Sequence, residues 1–166
     1  MTSDNATSRA SHLTYIIDDH SPYGNPEVGL DLATTPGYML FYSCFMGDVD
    51  LAIDGIDFRT HFGWVSTLSF ALGMLRSLHE LPAKGVSAAG FLESEYRIEF
   101  QLNASDVRVS CSYSENVAAI AYSELLALAR GGLTELLRNL YAKYPGLVRN
   151  PFLANVLAQL DLAEDT

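Results

Sequence analysis

Apolar and polar residues alternate most cleanly from Asp48 to Phe58. Val49, Leu51 and Ile53 are interleaved with Asp48, Asp50 and Ala52, and after the dipeptide Asp54-Gly55 the apolar series resumes at Ile56 and Phe58. A period of two belongs to a strand with one buried face, and Asp-Gly accepts the positive φ angles of a two-residue type I′ turn. The pattern predicts a hairpin in which Ile53 faces Ile56, Leu51 faces Phe58 and Asp50 stands opposite Arg59. A second hairpin is predicted from Glu93 to Tyr113. There Tyr96, Ile98, Phe100 and Leu102 alternate with Glu95, Arg97, Glu99 and Gln101, the loop is Asn103 to Asp106, and Val107, Val109 and Cys111 carry the return arm.

Helical spacing takes over elsewhere. Trp64, Leu68, Leu72, Leu75 and Leu78 recur every three or four residues, which predicts an amphipathic helix from Trp64 to Leu81 with Pro82 as its stop. Gly73 inside it hints at close packing against a strand. Ser123 is placed as the N-cap of a helix running to Lys143, broken or kinked at Gly131-Gly132. Asn150-Pro151 opens a last short helix through Leu160. Upstream, His12 to Asp18 has the composition of a short strand, and the uninterrupted apolar run Tyr38 to Phe45 favours a strand buried on both faces over a short helix. Gly85 to Gly90 is expected to be a loop. This order of elements predicts an α+β fold, an antiparallel β-sheet built from hairpins with helices packed on one face. Residues 1–11, rich in Thr, Ser, Asn and Asp, are expected to form a flexible tail, and residues 12–166 a single domain.

Composition adds three constraints. Hydrophobic residues make up 49% of the 166-residue chain, enough for a core without disulfides or metals. No apolar run approaches the ~20 residues of a membrane span or forms the apolar region of a secretory signal, which makes a cytoplasmic protein the expectation. Twenty acidic against ten basic side chains give a formal charge of -10. A field of that sign repels nucleic acid and anionic membranes and attracts a basic protein.

The search for chemistry yields little. Gly85 to Gly90 has Ala89 where a nucleophile elbow needs its second glycine. Asp48, Asp50 and Asp54-Gly55 resemble a calcium loop but have Ala52 at the fifth position and Arg59 at the twelfth. The four histidines show no metal-ligand spacing, and Cys44 and Cys111 belong to no C-x-x-C pair and are expected to be buried free thiols. There is no phosphate-binding glycine loop. No catalytic residue, metal or cofactor is therefore expected. Projected onto one sheet, the polar positions of both hairpins collect Asp48, Asp50, Asp57, Glu93, Glu95 and Glu99 as a candidate partner-binding face; its plainer alternative is a solvated surface with cross-strand ion pairs.

With the helical segment FGWVSTLSFALGMLRSL (Phe62 to Leu78) followed by FLESEYRIEFQLN (Phe91 to Asn103) and VRVSCSY (Val107 to Tyr113), the chain resembles the immunity proteins of bacterial polymorphic toxin systems. The likeness is one of pattern, spans about residues 38 to 145 and includes no diagnostic motif. It implies a bacterial, non-catalytic protein that blocks a cognate toxin domain, often basic, by occlusion, and it transfers no site residues. The alternatives left open are a structural or oligomeric interaction module, in which copies of the chain self-associate, and a small enzyme without a recognisable motif.

Overall fold

The structure, a computed structural model, describes residues 10–92 and 94–160. Most of the expected tail, and Glu93, lie outside the described residues. In chain order the elements are β1 (His12–Ile17), α1 (Gly37–Tyr42), β2 (Met46–Ile53), β3 (Ile56–Asp57), β4 (Val65–Ser66), α2 (Thr67–Lys84), β5 (Val86–Gly90), β6 (Arg97–Asn103), β7 (Asp106–Cys111), β8 (Val117–Ala121), α3 (Tyr122–Lys143) and α4 (Pro151–Gln159). The fold is α+β, and all its strand pairs are antiparallel. No helix among the described residues is long and apolar enough to cross a membrane.

Both hairpins form, the first with the expected register. Ile53 pairs with Ile56 across Asp54 (φ 51°) and Gly55 (φ 80°), the two positive angles that a type I′ turn requires, and the Phe58 N–H donates to the Leu51 carbonyl at 2.9 Å. Asn103 pairs with Asp106 around a tighter, two-residue loop in which Ala104 takes φ 55°.

The hairpins do not, however, share a sheet. One four-stranded sheet has the order β1-β2-β3 with β4 also on β2, and the other runs β5-β6-β7-β8. Two strands absent from the predicted pattern complete the second sheet. Val86–Gly90, expected as loop, is edge strand β5, and Val117–Ala121 is β8; both are short and dominated by small residues, so neither shows a clear period of two. The run Tyr38 to Phe45 is also not a strand. Pro36 accepts hydrogen bonds from the Met39 and Leu40 amides and so starts a single helical turn and a half, in which Leu40 is buried while Tyr38 and Tyr42, four residues apart, face solvent.

Helix α2 starts three residues later than expected because Val65 and Ser66 are taken by pairing with Gly47 and Met46, which leaves Trp64 outside the helix. It also runs past Pro82. Proline lacks the N–H that would bond the Leu78 carbonyl four residues back, and the Tyr122 hydroxyl donates to that carbonyl instead at 2.9 Å. Nor do Gly131 and Gly132 break α3. A methyl group at Gly132 would lie 3.1 Å from Leu13 Cγ and 3.2 Å from the Leu13 carbonyl oxygen, so the glycine lets α3 lie close against β1. Gly73, by contrast, approaches nothing: a methyl group there would find no atom within 4 Å.

The core lies where α2 and α3 meet the sheets. Leu68, Met74, Leu75, Leu78 and Leu81 of α2 are wholly buried, together with Val49, Leu51 and Ile53 of one sheet and Ile98, Val107 and Val109 of the other. Asn150 fastens the C-terminal end. Its Oδ1 accepts the Phe152 and Leu153 amides as the N-cap of α4, while its Nδ2 donates to the Leu32 and Thr35 carbonyls at 2.8 and 2.9 Å. Replacing Asn150 with Ala removes a cap and leaves two carbonyls without their donor in a wholly buried place, which should cost about 3 kcal/mol in urea denaturation. A loss below about 1 kcal/mol would mean that water reaches these groups.

Candidate functional site

The chain after β3 continues alongside β2, with the Thr60 N–H donating to the Val49 carbonyl at 2.9 Å, and then bulges away from the strand at Phe62 and Gly63. Asp48 takes the place of the missing strand partner. Its Oδ1 accepts the Phe62 amide at 2.8 Å, the Gly63 amide at 3.1 Å and the Thr60 hydroxyl at 2.7 Å, and the same Thr60 oxygen accepts the Val49 amide at 2.9 Å. Gly63 supports the bulge with φ 72°, an angle that side-chain-bearing residues rarely adopt.

The bulge delivers aromatic rings to the surface. Phe62 is sandwiched between Trp64, at 4.9 Å and 11° between planes, and Tyr96, which immediately precedes β6, at 5.0 Å and 17°. Tyr113 and Phe91 meet Phe62 edge-on at 5.4 and 5.7 Å, and Phe91 stacks on Phe70 of α2 at 4.4 Å. Edge-to-face and offset contacts of this kind each add about 0.5–1.5 kcal/mol beyond the area they bury. Two hydrogen bonds clamp the seam between the sheets: the Tyr113 hydroxyl donates to the Phe58 carbonyl at 2.6 Å and the Asn116 amide to the Asp57 carbonyl at 2.7 Å. Burial pushes the Tyr113 hydroxyl above the usual phenol range, helped by the nearby Cys111 and by the charge of Asp57, so it stays a donor at neutral pH.

Beside the ladder opens a groove of about 460 Å3 whose lining includes Tyr23, Tyr42, Met46, Trp64, Ser66 and Leu92. Tyr23, Tyr42 and Tyr96 are 58%, 53% and 43% exposed, a large area of aromatic surface left in water.

Of the six acidic residues singled out by alternation, the five that the structure describes separate into distinct roles. Asp48 is a half-buried anchor for the bulge. Asp50 is paired with Arg59 at 3.0 Å and with His12 at 3.0 Å; partial burial works against its charge, but these hydrogen bonds and the neighbouring positive charge hold its carboxyl below the ordinary range. Glu99 is paired with Arg97 at 2.8 Å. Asp57 is exposed, its Oδ1 accepting only a local backbone bond from Arg59, and Glu95 is exposed next to Tyr96. Because Asp48, Asp50 and Asp57 belong to one sheet and Glu99 to the other, they form no single row. Asp57 nevertheless lies at the seam, where its carbonyl accepts the Asn116 amide, and Glu95 adjoins Tyr96 in the chain.

The aromatic residues went unnoticed in the sequence because Trp64 falls in phase with the α2 leucines. The signal was Gly63: a glycine between Phe62 and Trp64, directly after a hairpin, marks a break rather than a helix start. Both cysteines are buried free thiols, as expected. Burial, with the Glu27 carboxylate nearby, pushes the Cys44 thiol up to about 12, so it is protonated and unreactive at neutral pH.

Compared with known protein families, curated proteins and solved structures, the chain matches none.

If Asp48 builds the ladder, its replacement should register at Trp64, the only tryptophan in the chain. Asp48→Ala leaves the amides of the bulge and the Thr60 hydroxyl without an acceptor, and should cost about 2–3 kcal/mol while shifting Trp64 emission to the red. An unchanged emission maximum in folded Asp48→Ala would show that the rings hold their place without it.

Proposed function

We propose that this protein acts by binding another protein, and that it is an immunity protein which neutralises a basic toxin domain by covering it. The observation that carries this reading is the aromatic seam around Phe62, with Asp57 at its Asn116 hydrogen bond and Glu95 next to Tyr96 in the chain. Tyrosine and tryptophan supply much of the energy at protein interfaces, and Tyr96 and Trp64, held by stacking on Phe62, would lose little entropy on docking. The acidic border and the net charge of -10 suit a basic partner and steer its approach. The likeness of the helix and hairpin pattern to immunity proteins points the same way.

Which carboxylates take part follows from their pairing. Asp50 and Glu99 already serve Arg59 and Arg97, whereas Asp57 and Glu95 form no ion pair among the described residues. The test takes a candidate partner from the adjacent gene or from a pull-down and follows association at two ionic strengths. The double variant Asp57→Asn, Glu95→Gln should slow association roughly 3- to 10-fold at low salt and flatten its salt dependence, while dissociation changes little. Blocking of the partner's activity by the unmodified protein is the second expected result. Unaltered association in the double variant would remove the acidic border from the account, and a partner left fully active would remove the inhibitor reading.

A further inference from the structure

The second sheet ends on β8, whose outer edge has no strand beside it. On one side of β7 the Tyr122 N–H donates to the Ser105 carbonyl, and on the other the Ser112 N–H donates to the Arg97 carbonyl. Antiparallel partners alternate between bonded and non-bonded pairs, so the register of Ala119 with Arg108 and of Val117 with Ser110 turns the peptide groups of Ala119 and Val117 away from β7. No other backbone group among the described residues bonds to them. The longer edges elsewhere are occupied: α3 lies against β1 at Gly132, and the Ser77 hydroxyl of α2 donates to the Ala88 carbonyl of β5 at 2.7 Å. The β8 sequence, Val-Ala-Ala-Ile-Ala in unbroken register, carries no lysine, proline or bulge to guard its edge.

Along this edge opens a cleft of about 470 Å3, where Ala119 and Ala121 meet Asp54 of the β2–β3 turn, Asp106 of β7 and Glu124 in the first turn of α3. None of these three carboxylates is in an ion pair among the described residues, and the lining includes no lysine, arginine or histidine. Nor do they belong to a group that could hold a metal ion. The open edge calls for a peptide backbone, and the carboxylates independently call for positive charge. A second copy of the chain, at -10, brings the wrong sign. We infer that β8 receives an extended basic segment of the partner as an added antiparallel strand, one residue of which exchanges both backbone hydrogen bonds with Ala119 while its arginine or lysine side chains meet Asp54, Asp106 and Glu124. The edge is continuous with the aromatic seam, because Asn116, directly before β8, donates to the Asp57 carbonyl there. This deepens the protein-binding reading above and rests on it for the identity of the partner, but not for its test.

The probe is a blocked pentapeptide in which threonine alternates with arginine, titrated into the full chain and followed by amide NMR shifts. Two controls separate the two demands: the same peptide with glutamate for arginine, and the arginine peptide N-methylated at its central residue, which keeps the charge and loses a backbone donor. Expected shifts cluster at Val117, Ala119 and Ala121 and saturate at low-millimolar peptide, and either control binds about tenfold or more weakly. Ala119→Pro removes an N–H that the β7 ladder does not use, and should abolish the binding. The triple variant Asp54→Asn, Asp106→Asn, Glu124→Gln, which keeps the turn because asparagine also accepts a positive φ, should weaken the arginine peptide about tenfold. The inference is overturned if either control binds as well as the arginine peptide, if the triple variant leaves the titration unchanged, or if no clustered shifts appear by about 10 mM. Shifts at the same amides on concentrating the chain alone would assign the edge to a second copy and equally overturn it. Failure of the peptide alongside a partner whose association still depends on Asp57 and Glu95 would strike the β8 edge and spare the proposed function.

Discussion

The surface of this protein depends on one carboxylate accepting hydrogen bonds from a strand that has left its partner. Asp48 lies on β2, where the neighbouring chain would ordinarily continue the ladder of backbone bonds. Its Oδ1 collects the Phe62 and Gly63 amides and the Thr60 hydroxyl, so the bulge is compensated in hydrogen bonds. A bulge with unpaired amides at a half-buried position would cost more than the sheet gains, and the chain would either stay paired or fray. With the carboxylate in place, Phe62 and Trp64 are held outward in a fixed geometry, and the second sheet can place Tyr96 and Tyr113 against them.

That contact joins the two halves of the fold. The sheets share no backbone ladder; they are united by α2 and α3 beneath and by the aromatic seam with its Tyr113 and Asn116 hydrogen bonds. Stability and the proposed recognition therefore draw on the same rings. Phe62 and Phe91 serve the core side of the cluster, and Tyr96 and Trp64 the water side, which is the amphipathic arrangement for which tyrosine and tryptophan are suited. In the proposed reading such a surface is preorganised, so that a partner would lose little by ordering it.

Local chemistry made the hairpins legible. Asp54-Gly55 can hardly do anything but turn, and the period-two patterns on both sides of it and of Ala104 fixed which residues are inside, down to the pairing of Asp50 with Arg59. The Asn150-Pro151 cap was legible for the same reason. What escaped was tertiary in origin. Small residues at β5 and β8 carry no periodicity and become strands only because β6 and β7 offer open edges. Tyr38 to Phe45 looked buried because aromatics were counted as apolar, although tyrosines 38 and 42 stand in water. Of the candidate site, the acidic positions were legible but their roles were not, since alternation cannot tell a carboxylate engaged by backbone amides from one free to meet a partner.

The most direct measurement is amide hydrogen exchange at Phe62 and Gly63 in the free protein. If the Asp48 carboxylate holds the bulge, both amides exchange as slowly as those of Phe58 and Thr60, which are bonded to β2, and Asp48→Asn speeds Phe62 and Gly63 selectively. Exchange at the rate of an open loop in the unmodified chain would contradict the account, because the aromatic surface would then be neither fixed nor built by Asp48.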